Sequence, residues 1–134
     1  MKVFVDTSAL FALLDSDDIN HQSAKDKWLS LLQTESNLIT TNYIIIESMA
    51  LIQRRLGLKA LRTFQEGILP IFQIYWIQED THNCGVAALL TASRKMLSLV
   101  DCISFHVMSK HSIKNAFTFD KHFKQEGFHC LDLI

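Results

Sequence analysis

The sequence predicts an α/β protein, a three-layer α/β/α sandwich around a five-stranded, mainly parallel sheet. Short β-branched or aromatic segments alternate with longer helical segments, a pattern typical of parallel strands joined by right-handed crossovers. The first of these segments, Val3–Val5, is apolar throughout, as expected of a strand covered on both faces. With one Pro, four Gly and no linker-like segment, residues 1–134 are expected to form a single domain.

In the first half of the chain, strand 3–5 is followed by a helix over 9–14 and a polar turn. A stripe formed by Ala24, Trp28 and Leu31 predicts a helix over 20–33. A strand over 37–40 comes next, and then a helix over 41–56. That helix is apolar almost all round, so we expect it to be buried, and Gly57 ends it.

In the second half, an amphipathic helix begins at Leu58 and stops near Pro70. Residues 71–77 are rich in β-formers and predict the third strand. Helices are expected over 81–95 and from Ser98 to Met108. The last two strands are expected over 115–119 and 128–131.

Composition excludes several classes of protein. The net charge of −1 gives no global attraction to nucleic acid, so any such binding must depend on local groups or metal ions. No apolar run is long enough to span a membrane and no signal peptide is visible. Three widely spaced cysteines in apolar surroundings indicate buried, reduced thiols. We therefore expect a soluble cytoplasmic protein.

Four acidic residues lie among apolar neighbours. Asp6 ends the first strand, Asp120 ends the fourth, Glu47 lies within the helix over 41–56, and Asp101 lies near the start of the helix that Ser98 opens. The carboxyl ends of strands in an open α/β sheet form the edge where ligands bind. If the four carboxylates meet there, their repulsion requires hard divalent cations, Mg²⁺ or Mn²⁺, and such a cluster suits phosphodiester hydrolysis. Like charges in one partly buried site should also raise the carboxylate pKa values.

Each aspartate also has a purely structural interpretation. Asp6 and Asp120 are suited to capping the helices that follow them. Ser98 and Asp101 match a capping box. Glu47 has no such role open to it, because it lies in the middle of a helix. The six histidines show no metal-ligand spacing, so surface or packing roles are favoured for them, including His122, which closely follows Asp120.

The chain resembles the PIN domain family, in particular its small single-domain type, typified by VapC toxins. The resemblance rests on residues 5–10 (VDTSAL), on Glu47, on 98–101 (SLVD) and on 117–120 (FTFD), in the family's order and over nearly the whole chain.

The resemblance implies strand order 3-2-1-4-5 and a metal-dependent endoribonuclease, the toxin of a toxin–antitoxin pair. Mg²⁺ or Mn²⁺ would be held by Asp6, Glu47, Asp101 and Asp120, and Thr7 and Thr118 would orient these ligands. RNA would be the substrate, and an antitoxin protein and a second copy of the chain would be partners. The helix over 58–68 and the surface near Trp28 are candidate dimer interfaces, with burial in the core as the alternative for both.

Two rival functions stay open at this stage. A phosphotransfer or phosphatase domain would use Asp6 as its nucleophile, but the haloacid-dehalogenase-like pattern requires a second Asp where this chain has Ser8. The other rival is a catalytically silent PIN-like module that binds RNA or protein.

Overall fold

The computed structural model describes residues 1–94 and 96–131. Within them, a five-stranded sheet has the order β3-β2-β1-β4-β5, and every neighbouring pair of strands is parallel. The strands are β1 Lys2–Val5, β2 Asn37–Thr41, β3 Gln73–Tyr75, β4 Asn115–Phe117 and β5 His129–Cys130. The predicted fold class and strand order are thus confirmed.

Seven α-helices lie in the described part of the chain: α1 Thr7–Leu14, α2 His21–Gln33, α3 Asn42–Leu56, α4 Leu58–Thr63, α5 Glu79–Ala92, α6 Leu99–Lys110 and α7 Lys121–Gln125. A π-helical turn, Phe64–Ile68, and a 3₁₀ turn, Leu69–Ile71, continue α4. None of the helices so described is long and apolar enough to cross a membrane.

Several predicted boundaries were wrong. The third strand begins at Gln73 rather than residue 71, because the 3₁₀ turn occupies its first position. The fourth strand ends at Phe117, two residues early, since Thr118 turns toward the site. The first helix begins at Thr7, directly after its cap. The five-residue helix α7 was predicted only as a turn, and Lys95, the predicted end of α5, lies outside the described residues.

The direction of the chain reverses at the centre of the sheet. From β1 the chain moves outward to β2 and β3, and it then returns past β1 to β4 and β5. Right-handed crossovers therefore place α1–α4 on one face and α5–α7 on the other. The reversal creates a topological switch point between β1 and β4, where the loops diverge and leave a crevice.

The core lies on both faces of β1, whose residues Val3, Phe4 and Val5 are fully buried. Two expectations about burial were wrong. Helix α3 is not buried all round: Ile46 is 67% exposed, and the neighbouring Glu47 is exposed as well. Cys84 is exposed, whereas Cys102 and Cys130 are buried as expected, and all three are free thiols.

Candidate active site

A cavity of about 460 Å³ opens at the switch point, at the carboxyl end of the sheet. It brings together all four acidic residues that the sequence singles out, from four separate elements. Its lining residues are Asp6, Thr7, Ser8, Glu47, Ala50, Leu51, Arg54, Ser98, Asp101 and Asp120.

Asp6 is the most firmly held of the four. It lies between β1 and α1, is only 5% exposed and caps α1. Its Oδ2 accepts hydrogen bonds from Ser8 Oγ at 2.8 Å and from Thr118 Oγ1 at 3.0 Å. Ser8 Oγ in turn accepts the N–H of Phe119 at 2.9 Å, so one small network ties the end of β1 to the end of β4.

Asp101 and Asp120 cap helices and also line the cavity. Oδ2 of Asp101 accepts the Ser98 N–H at 3.1 Å in a complete capping box. Oδ1 of Asp120 accepts the His122 N–H at 2.9 Å at the start of α7. The second oxygen of Asp6, Asp101 and Asp120 accepts no hydrogen bond from any described residue. The capping interpretation is therefore correct, but it uses only one oxygen of each carboxylate.

Glu47 and Thr7 occupy different surroundings from the aspartates. Glu47 projects from the exposed side of α3 into the cavity. Thr7 Oγ1 accepts a hydrogen bond from Ser48 Oγ at 3.1 Å, which joins the start of α1 to the residue after Glu47. Ser8, which the sequence analysis did not single out, makes the contact with Asp6.

His122, for which a surface or packing role is predicted, lies beside the site with its side chain 13% exposed. Donor atoms of Asp101, Asp120 and His122 all lie within 4.8 Å of one another, and the group is a candidate metal site. The one signal in the sequence was that His122 follows Asp120 by two residues. That spacing does not by itself indicate a shared site, because it depends on the direction that α7 takes.

The surroundings of Asp6 and Asp101 disfavour the charged form of both carboxyl groups. Burial raises the pKa of Asp6 from 3.8 to about 6, the hydroxyls of Ser8 and Thr118 oppose this, and the charges of Asp101 and Asp120 add to it. Burial likewise raises the pKa of Asp101, with Asp120 contributing. The predicted increase in carboxylate pKa is thus found for Asp6 and Asp101, but its main cause is desolvation rather than mutual repulsion.

Comparisons with known proteins agree with this geometry. The family model of the PIN domain matches residues 3–128. A protein described as 23S rRNA-specific endonuclease VapC20, from two strains of Mycobacterium tuberculosis, is 31% identical over 127 residues, covering 94% of this chain and 95% of its own. The crystal structure of M. tuberculosis VapC20, described as a sarcin-ricin loop cleaving toxin, superimposes with a TM-score of 0.84 at 30% identity, covering 94% of this chain and 95% of its own. The structure of FitAcB from Neisseria gonorrhoeae shares the fold, with a TM-score of 0.68 at 16% identity and coverage of 96% and 95%.

Fold and site together define a parallel α/β protein with an acidic cavity at its topological switch point. The chain belongs to the PIN domain family. This membership excludes the phosphatase alternative. That function would require a second aspartate at position 8, where this chain has Ser8, whose hydroxyl donates a hydrogen bond to Asp6.

Proposed function

We propose that the chain is a metal-dependent endoribonuclease, the toxin of a toxin–antitoxin pair, acting in the cytoplasm as one domain of residues 1–134. The observation that carries the proposal is the convergence of Asp6, Glu47, Asp101 and Asp120 on one cavity, with an oxygen of each aspartate left unpaired by the described residues. The names of the VapC20 relatives, a 23S rRNA-specific endonuclease and a sarcin-ricin loop cleaving toxin, support the same activity.

The donor set fits Mg²⁺ or Mn²⁺. Carboxylate oxygens are the ligands these cations prefer, and Asp101 and Asp120 already present theirs within 4.8 Å of each other. Burial chiefly, and repulsion in addition, raise the pKa of Asp6 and Asp101, and a cation bound there would offset the cost of holding both carboxylates charged. When bound, it would act as a Lewis acid toward water and neutralise charge on the phosphate.

The protein residues divide the remaining tasks. Asp6 is held rigidly by Ser8 and Thr118, so its free oxygen keeps one direction in the cavity. Among the described residues that line the cavity, Arg54 is the one with a cationic side chain, and it is exposed. A guanidinium there is suited to hold the RNA backbone by a phosphate, because its planar fork matches phosphate oxygens.

Cleavage by purified protein tests the proposal. The protein is incubated with Mg²⁺ or Mn²⁺ and an RNA set that includes a sarcin-ricin stem-loop, chosen because of the VapC20 relatives. We expect cleavage at discrete sites by the parent, loss of at least about a hundredfold in Asp6→Asn or Asp120→Asn, and full activity in the exposed control Asp17→Asn. Undiminished cleavage by Asp6→Asn would contradict the site. RNA binding without cleavage in either metal would favour the catalytically silent module.

We also propose an antitoxin and a second copy of the chain as protein partners. The support is a set of exposed apolar side chains near α3 and α4, with Ile46 67%, Leu58 68% and Trp76 66% exposed. Trp28 itself is buried and stacks on Phe72 in the core, whereas Leu29 and Leu32 on the same helix are exposed, so that surface stays a second candidate interface. Light scattering should give twice the 15.4 kDa chain mass. A monomer at micromolar concentration would contradict the homodimer, and co-purification with the product of a neighbouring reading frame would identify the antitoxin.

A further inference from the structure

A second cavity, of about 170 Å³, lies where the end of β3 meets α5 and α6. It shares no lining residue with the acidic cavity. Its aromatic and cationic lining residues are Tyr75, Trp76, His106, Lys110 and His111. We call it the aromatic cavity, and its volume is enough for one planar ring system of the size of a nucleobase.

The aromatic walls of this cavity are already in place. The rings of Tyr75 and His111 stack with their centroids 4.1 Å apart and an angle of 8° between their planes. Trp76 beside them is 66% exposed, although an indole gains much from being covered. Trp76 also lines a separate apolar cavity beside α3, so it lies at the border between the aromatic cavity and the apolar surface proposed for protein partners.

Cationic groups surround the stacked rings. Lys110 lines the aromatic cavity, and Lys2 Nζ donates a hydrogen bond to the His111 carbonyl at 3.5 Å. Neither lysine forms an ion pair within residues 1–94 and 96–131. Burial chiefly, and the charges of Lys110, Lys2 and His106 in addition, lower the pKa of His111. At neutral pH the His111 ring is therefore an uncharged stacking partner, and the two lysines supply the positive charge.

Tyr75 connects the aromatic cavity to the edge of the sheet that carries the acidic site. Phe4 pairs with Ile39, so Asp6, two residues further on, lies level with Thr41. Thr41 in turn pairs with Tyr75. Asp6 and Tyr75 are thus two strands apart, which separates their backbones by roughly 10 Å. One RNA chain that crosses this edge can contact both cavities with nucleotides close together in its sequence.

We propose that the aromatic cavity binds one unpaired nucleotide of the RNA substrate. Trp76 stacks on the base, and Lys110 and Lys2 hold its phosphate. Unpaired bases stacked on aromatic side chains are the usual target of sequence-specific RNA recognition, and the lysines supply a local attraction that the net charge of −1 does not. Asp80, an acidic lining residue, is suited to accept a hydrogen bond from an exocyclic amino group of the base. The inference rests on the proposed function for RNA as the ligand, and it adds a second contact to that function.

RNA binding without cleavage tests this proposal. All proteins carry Asp6→Asn and are kept in EDTA, and a fluorescein-labelled sarcin-ricin stem-loop is titrated and followed by anisotropy. Adding Trp76→Leu keeps an apolar side chain but removes the ring. It should raise the Kd for this RNA by about fivefold to a hundredfold, the loss expected for one stacked base. The matched control Leu90→Ala changes a similarly exposed apolar residue of α5 and should leave the Kd unchanged.

The salt dependence of binding tests the lysine. Lys110→Gln should reduce the slope of log affinity against log salt concentration by about 0.7, the value for one phosphate contact to a single strand. Lys25→Gln, which changes an exposed lysine on α2, should leave the slope unchanged.

Tryptophan emission gives a readout that needs no variant. Trp28 is buried, so quenching by bound RNA should affect the emission of the exposed Trp76. AMP is the probe for a free nucleotide and should quench this emission only at concentrations far above those of the RNA. Quenching by AMP and by RNA at equal concentrations would overturn the assignment to RNA in favour of a free nucleotide.

Unchanged RNA affinity in Trp76→Leu, or an unchanged salt slope in Lys110→Gln, would overturn the inference. So would a loss of the dimer in Trp76→Leu with RNA affinity intact, because the indole would then belong to a protein interface. Cleavage is measured separately, in Mn²⁺ and without Asp6→Asn. Cleavage by the parent with normal RNA binding by the variants would refute only the nucleotide site, and RNA bound through the aromatic cavity without cleavage would refute only the nuclease.

Discussion

Replacing Asp6 with asparagine should stabilise the metal-free protein at neutral pH. The pKa of Asp6 is about 6 in the folded protein against 3.8 for an unperturbed aspartate, chiefly because the side chain is buried. Between these values the folded protein still holds the proton that the unfolded chain has lost. The free energy of unfolding therefore falls as the pH rises through this window, and the loss is complete above the folded-state pKa.

The size of the effect follows from that difference. A change of one in pKa corresponds to about 1.4 kcal/mol, so the charge on Asp6 costs at most about 3 kcal/mol above pH 7. An amide avoids this cost, and its oxygen can still accept from Ser8 and Thr118. Its NH₂ group must then replace the oxygen that faces the cavity. Allowing for weaker hydrogen bonds to a neutral acceptor, we expect a net gain of about 1–2 kcal/mol for Asp6→Asn.

The assay is denaturant unfolding of parent and variant in EDTA, at pH 7.5 and pH 4.5. The gain should be present at pH 7.5 and largely absent at pH 4.5, where Asp6 is protonated in the folded parent. A gain of this size raises Tm by about 3–8 °C. Excess Mn²⁺ should reduce or reverse this difference in stability between variant and parent, because the ion stabilises only the protein that binds it. The exposed Asp17→Asn is the matched control. A variant that is less stable at pH 7.5, or a difference independent of pH, would refute the account of Asp6.

Three further predictions concern Thr118 beside Asp6, the packing of α5 on α6, and the cap of α6. Thr118→Val should lower the free energy of unfolding by about 1–2 kcal/mol at pH 7.5 and by less at pH 4.5, because the Thr118 hydroxyl stabilises the charged form of Asp6. Denaturant unfolding at the two pH values measures this difference. An equal loss of stability at both pH values would contradict the prediction. Gly85→Ala should cost about 1–2 kcal/mol, since the new Cβ would lie 2.4 Å from Ile103 Cδ1. Adding Ile103→Val should recover part of that loss in a double-mutant cycle, whereas additive losses would argue against the clash. Ser98→Ala should cost about 1 kcal/mol by removing the cap of α6, and an unchanged thermal melt would exclude that role.

Much of the architecture could be predicted from local sequence. Val3–Val5 is apolar until Asp6, so both the central strand and its end were visible without a structure. The capping box of Ser98 and Asp101 was visible as well, because it depends on residues three apart. The strand order came from the resemblance to the PIN family, since the pairing of β1 with β4 joins segments more than a hundred residues apart.

Tertiary structure decided how the site is assembled. Helix α3 has apolar residues on every side, so its sequence does not indicate which side faces solvent, and packing against α1 and α4 leaves Glu47 exposed toward the cavity. Helix α7 has five residues, too few to show a period, yet its direction places His122 against Asp101 and Asp120. Caps and strand ends depend on neighbours within about four residues, which the sequence displays directly. The contacts among these side chains depend on how separate elements pack at the switch point, and that packing is a property of the whole fold.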